Sequence, residues 1–264
     1  MKHSNIIDMH AHIFPEKIVT KAVGSIGEFY GIPMRAGGLA EDLLQRGQAA
    51  GISRFVVFST ATVPHQVQTI NNFISGQVAL HPEFTGFGTL HRDMEHPEEE
   101  IERICSLGLR GVKLHPDFQK FEIDDPKMDP IYAALEGRLP ILFHTGDKRY
   151  PFSRPEKLAR VARKFPRLQA IAAHFGGYSV WEDVYCYDGC DNVFFDTSST
   201  LFCMPKEQAR QLISHFGADR FFFGTDYPMW EPSEELERFF ALDLGDDVNE
   251  KILWKNAQRF LQLS

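Results

Sequence analysis

The sequence contains no long hydrophobic run: none of its 264 residues lies in a stretch approaching the roughly 18 apolar positions of a membrane span. Met1-Lys2-His3-Ser4-Asn5 leads directly into a short strand-like apolar run, which is not the pattern of a secretory leader. A cytoplasmic protein without a membrane partner is the expectation. Cysteine is scarce. Cys105, Cys186, Cys190 and Cys203 form no Cys-x-x-Cys pair, which argues against a disulfide scaffold and for reduced, buried thiols. No basic block accompanies the formal charge of −8, so nucleic acid is excluded as a partner. No strand-like run is followed by Gly-x-Gly-x-x-Gly, which removes the dinucleotide-binding fingerprint. Low-complexity segments and hinge-like linkers are missing too.

What is present is an ordinary globular balance, 43% hydrophobic and 24% charged, long enough for one large core. Short apolar runs bounded by Gly, Pro or Asp alternate with segments of helical period, as in repeated βα units. Strands are expected near 6–12, 54–60, 84–90, 110–116, 139–145, 168–174, 192–198 and 220–226. Helices are expected near 39–50, 65–80, 97–107, 127–137, 155–165, 180–188, 205–216 and 247–262. Pro97, with three glutamates behind it, and Pro155, followed by Glu156, mark helix starts by proline geometry and first-turn negative charge. Eight such units close into a (β/α)8 TIM barrel, expected here as one domain over 1–264. The long stretch near 20–38, with Phe29, Tyr30 and Arg35, is expected to form a small cap.

The chemistry sits at the strand ends. His10 and His12, two apart on a strand, point to one face. In Gly111-Val112-Lys113-Leu114-His115, Lys113 and His115 share the inward face if Val112 and Leu114 face the helices. The same alternation turns His144 inward beside an outward Phe143, places His174 on the face of Ala172, and pairs Gly224 with Asp226. Barrel enzymes build their sites at this end of their strands. Imidazoles with one carboxylate suit a divalent metal with an open position for water, whose pKa the metal lowers to about 7. Asp226 and His174 are the candidates to take and return the proton. Arg149 and Arg154, in the loop after His144, could hold a substrate carboxylate by a bidentate contact. His65, His91, Phe118, Phe202 and Trp230 are weaker pocket candidates.

These residues carry a resemblance. The His10/His12 strand, Gly-Val-Lys-Leu-His-Pro at 111–116, Phe-His-Thr-Gly at 143–146, Ala-His-Phe-Gly-Gly at 173–177, Phe-Asp-Thr-Ser-Ser at 195–199 and Gly-Thr-Asp-Tyr-Pro at 224–228 resemble the amidohydrolase superfamily. The order, the spacing and the Asn256-Ala257 closing helix are most similar to its amidohydrolase-2 group of hydrolases and non-oxidative decarboxylases. The resemblance implies that His10, His12, His144 and Asp226 are metal ligands, and that His174 is either a second-metal ligand or an acid/base group. It places Lys113 where some members carry a carboxylated lysine and others an ammonium that neutralises an anionic substrate. The expected enzyme hydrolyses a small molecule through metal-activated water, with Lys113, His115 and Arg149 binding substrate. Decarboxylation of a small carboxylic acid is the alternative, and a barrel that only binds metal is a third reading. Zinc is the first expectation for the cofactor, with manganese or iron as alternatives, and one ion is favoured over two. The expected partner is a small molecule, a carboxylate among the candidates, and self-association into a homo-oligomer stays open.

Overall fold

A computed structural model describes residues 5–263. The chain divides into two compact units, one comprising 5–57, 81–85 and 197–263 of the described residues, the other 58–80 and 86–196.

In the first unit, β1 (Ile6–His12) is followed by α1 (Glu16–Tyr30), α2 (Ala40–Ala49), β2 (Ile52–Phe58) and, after an excursion of the chain, β3 (Phe84–Gly86). These strands lie in the order β1-β2-β3. On the other edge of β1 runs the segment 221–227. Met9 N–H donates to the Phe223 carbonyl at 2.9 Å, Asp226 N–H to the His10 carbonyl at 2.8 Å and His12 N–H to the Tyr227 carbonyl at 2.7 Å, in the parallel sense. β1 is buried along nearly its whole length, as expected for a parallel strand covered on both faces.

The stretch expected as a cap is helical up to Tyr30. Gly31, in left-handed backbone at φ 65°, returns its N–H to the Gly27 carbonyl and ends α1, a conformation that glycine adopts without a Cβ penalty. Beyond it, the Arg35 and Ala36 N–H groups both donate to the Pro228 carbonyl.

The second unit carries β4 (Gly88–Thr89), β5 (Val112–Leu114), β6 (Ile141–Phe143), β7 (Ala170–Ala172) and β8 (Val193–Asp196). Each pairs in parallel with the next in chain order. Its helices begin where proline and acid predict: α3 spans Pro97–Ser106 with Glu98, Glu99 and Glu100 in its first turn, and α4 spans Pro155–Lys164. Proline at that position lacks an N–H that would in any case have no helical partner. Leu158, Ala159, Val161 and Ala162 form the buried stripe of α4 at helical spacing.

The ladders are shorter than the sequence suggests. The run 84–90 is interrupted at Phe87 between β3 and β4, and the expected helix 180–188 is a 3-10 segment, Trp181–Tyr187. The helix expected over 247–262 contains a π turn at Lys251–Lys255. Helices at Pro116–Gln119 and Pro232–Phe240, like α1, escaped the periodicity. Among the described residues no helix is long and apolar enough to cross a membrane.

Candidate metal centre and active-site residues

In the first unit the strand tips bring together His10, His12 and Asp226. The Nε2 atoms of His10 and His12 lie 3.4 and 3.5 Å from Asp226 Oδ1, and one ligand atom from each residue falls within 4.8 Å of the others. His10 and Asp226 are buried and His12 nearly so, so water competes little for these groups. The two-residue spacing does what alternation predicts: both imidazoles reach one carboxylate oxygen.

Their surroundings hold them. Asp8, on the same strand, accepts at Oδ1 from the N–H groups of His10 (2.9 Å) and Thr225 (3.0 Å), and at Oδ2 from the Thr225 hydroxyl at 2.5 Å, clamping β1 to the segment that bears Asp226. Ser198 Oγ is 3.1 Å from His10 Nδ1. Ser199 Oγ donates to Asp226 Oδ2, and Trp230 Nε1 donates to Ser199 Oγ at 2.9 Å. Asp8, Ser198 and Ser199 were not singled out from sequence; the signal for the two serines was the polar Asp-Thr-Ser-Ser run closing an apolar strand, and for Asp8 a carboxylate inside the apolar run of β1.

The second unit gathers His115, His144, His174 and Asp117. His144 Nδ1 and His174 Nε2 are 2.9 Å apart, a distance at which one ring must donate and the other accept. His144 Nε2 faces Asp117 Oδ2 at 3.5 Å, and the Ser153 hydroxyl donates to that same oxygen at 2.6 Å. Burial pushes the Asp117 carboxyl up to about 7, against the opposing effect of the Ser153 hydrogen bond. The His115 ring stacks between Phe118 (centroids 3.7 Å) and His144 (4.1 Å), and its Nδ1 accepts from the Phe118 N–H at 3.3 Å. Asp117, His144 and Asp147 form another set with metal-ligand geometry; sequence reading passed over both carboxylates.

His115 and His144 directly follow their ladders, whereas His174 lies beyond β7 at φ 62°, where strand alternation no longer sets direction. Lys113 is fully buried, its Nζ 5.1 Å from the centroid of the Phe58 ring. Arg149 meets Asp147 through both Nε and Nη2, so the fork expected to clamp a substrate carboxylate is engaged by a neighbour. Arg154 pairs with Asp183 at 3.7 Å. His91 is buried, and desolvation lowers its basicity, while His65 is exposed in a 3-10 turn. Phe202 stacks on Trp230 at 4.5 Å.

Solved structures share this architecture. An uncharacterized TIM-barrel protein from Bordetella bronchiseptica matches with a TM-score of 0.80 and 25% identity, covering 98% of each chain. The 5-carboxyvanillate decarboxylase of Novosphingobium aromaticivorans, complexed with manganese and 4-hydroxy-3-methoxy-5-nitrobenzoic acid, matches at 0.78 and 18% identity, over 99% of this chain and 97% of that one. A Pseudomonas putida protein described as a 2-pyrone-4,6-dicarboxylic acid hydrolase matches at 0.70 and 19% identity, over 98% of both. These likenesses show the TIM-barrel fold. The profile of the amidohydrolase family matches residues 7–263, nearly the whole chain, and this protein belongs to that family.

Proposed function

We propose that this protein is a metal-dependent hydrolase of a small molecule, with a divalent cation held by His10, His12 and Asp226, and with His144 keeping the ligand role that its resemblance implies. The observation that carries the reading is the convergence of two Nε2 atoms on Asp226 Oδ1 at 3.4 and 3.5 Å in a largely buried setting. Two imidazoles and a carboxylate are a donor set that zinc, manganese and iron all accept, so the residues fit the cofactor, with zinc our first assignment. When bound, such a cation polarises a substrate oxygen and makes water more acidic.

The chain's own groups supply the rest. Asp226, whose Oδ2 accepts from Ser199, is the carboxylate that can take a proton. His174, whose Nε2 faces His144 Nδ1, is the second proton-handling group. Lys113, desolvated and set over Phe58, supplies positive charge for an anionic substrate. His115, fixed between two rings, is a rigid positioning group. Arg149 can contribute to substrate binding only by sharing or exchanging its Asp147 contact.

Decarboxylation is the second reading, supported by likeness to the Novosphingobium decarboxylase at a TM-score of 0.78. The test is to screen the zinc- and manganese-loaded protein against lactones, amides and aromatic carboxylic acids in water labelled with oxygen-18. Label in the product without release of carbon dioxide supports hydrolysis. Carbon dioxide release without label transfers the assignment to the second reading. A chain that takes up neither cation and turns nothing over sinks both.

A further inference from the structure

The Asp-Thr-Ser-Ser run that closes β8 supplies hydroxyls beside the ligand set. Ser199 is fully buried and adopts left-handed backbone at φ 46°, a conformation that costs a residue with a Cβ and suits glycine. A serine kept there indicates that its side chain is used.

The hydrogen bonds show how. The Trp230 indole N–H can only donate, and it donates to Ser199 Oγ at 2.9 Å. The Ser199 hydroxyl proton must therefore point elsewhere. Two acceptors lie in range, Asp226 Oδ2 and Met229 Sδ at 3.5 Å, and a carboxylate is much the stronger. Trp230 is itself fixed, stacked on Phe202 and covered by the Arg238 guanidinium 4.9 Å from its ring centroid. Asp226 also sits in left-handed backbone, at φ 58°, so its carboxylate enters the cluster at an angle that the strand does not set.

We propose that Trp230 and Ser199 act as a positioning relay that orients the Asp226 carboxylate, occupying Oδ2 so that Oδ1 alone is presented to the cation between His10 and His12. The neighbouring Ser198 does the same for His10: with Nδ1–H donated to Ser198 Oγ (3.1 Å), Nε2 keeps the lone pair that a metal needs. The inference rests on the metal-binding reading above.

The decisive variant is Ser199→Gly, which removes the hydroxyl while relieving the left-handed backbone. Affinity for zinc and manganese is measured on the full chain by chelator competition, with melting temperature of the metal-free protein in parallel. Affinity is expected to fall about 10- to 100-fold, the range for losing a hydrogen bond to a ligand, while the melting temperature holds. A merely structural serine would show the opposite split. Ser199→Ala, with the same hydroxyl loss on a different backbone, should lose affinity equally. Trp230→Phe keeps the stacked ring and removes the N–H, so it should cause a smaller loss that disappears in the Ser199→Gly background. Unaltered affinity in both serine variants, or additive effects of Trp230→Phe and Ser199→Gly, overturns the relay while leaving the metal reading intact. A wild-type chain that takes up neither cation overturns both.

Discussion

The two polar clusters are held in different ways. In the first unit hydroxyls and a backbone clamp hold most of the groups: Ser198 on His10, Ser199 on Asp226, and Asp8 across to Thr225. In the second, beside the Ser153 hydroxyl on Asp117 and the Phe118 N–H on His115, the groups also meet one another, through the His144–His174 contact at 2.9 Å, the Asp117–His144 approach at 3.5 Å and the stacked His115 ring. Hydroxyl partners rotate to suit an imidazole or a carboxylate and keep its direction. Groups that titrate and also hold each other must redistribute protons together when one changes. The first cluster leans on hydroxyl partners, the second on contacts between groups that themselves titrate.

The largest effect that would break this contrast is expected from replacing both His10 and His12 with Ala. Uptake of zinc or manganese should be lost by elemental analysis, while far-UV circular dichroism remains that of the parent; full metal content in this variant would remove the first cluster from metal binding. Asp226→Asn keeps the shape and one oxygen but neither the charge nor the base. Turnover should fall about 10²-fold or more with some metal retained, and near-normal turnover would move proton handling to His174. Gly146→Ala probes the packing behind the second cluster. Gly146 has φ +84°, and a Cβ there would lie 2.3 Å from Gly177 Cα, a backbone clash that no rotamer relieves. A loss of about 2 kcal/mol is expected, read by urea denaturation, and an unchanged midpoint would show that these loops yield. The smallest effect is assigned to Asp117→Asn, which keeps an acceptor for Ser153 but removes the charge facing His144. About a tenfold fall in kcat is expected with an unaltered melting temperature, whereas unchanged kcat would reduce Asp117 to an anchor for the loop at 146–153.

Much of this was legible from residue order. The period-two rule placed His10 and His12 on one face, and proline with trailing acids marked the starts of α3 and α4. The rule does not extend past the ladders, where His174 and Asp226 adopt left-handed backbone whose direction alternation does not set. Helix α1 was passed over because Gly24 and Gly27 dilute its periodicity. Ser198 and Ser199 were invisible as partners because they meet His10 and Asp226 across 188 and 27 positions, with no local pattern to announce it. Asp117 lay two residues after an expected site histidine, on a short helix opened by Pro116, and its meaning depends on Ser153 36 positions away.

The Asp8–Thr225 clamp also has a temporal consequence. Its partners are 217 positions apart, so the clamp closes a long loop, and contacts of such separation are slow to form. β4 to β8 pair between neighbours in chain order, and a nascent chain can zip them together as they leave the ribosome, N-terminal portions first. His10 and His12 precede Asp226 in the chain and meet it only after everything between has been synthesised. The cluster of His10, His12 and Asp226 is therefore completed as a late event of folding.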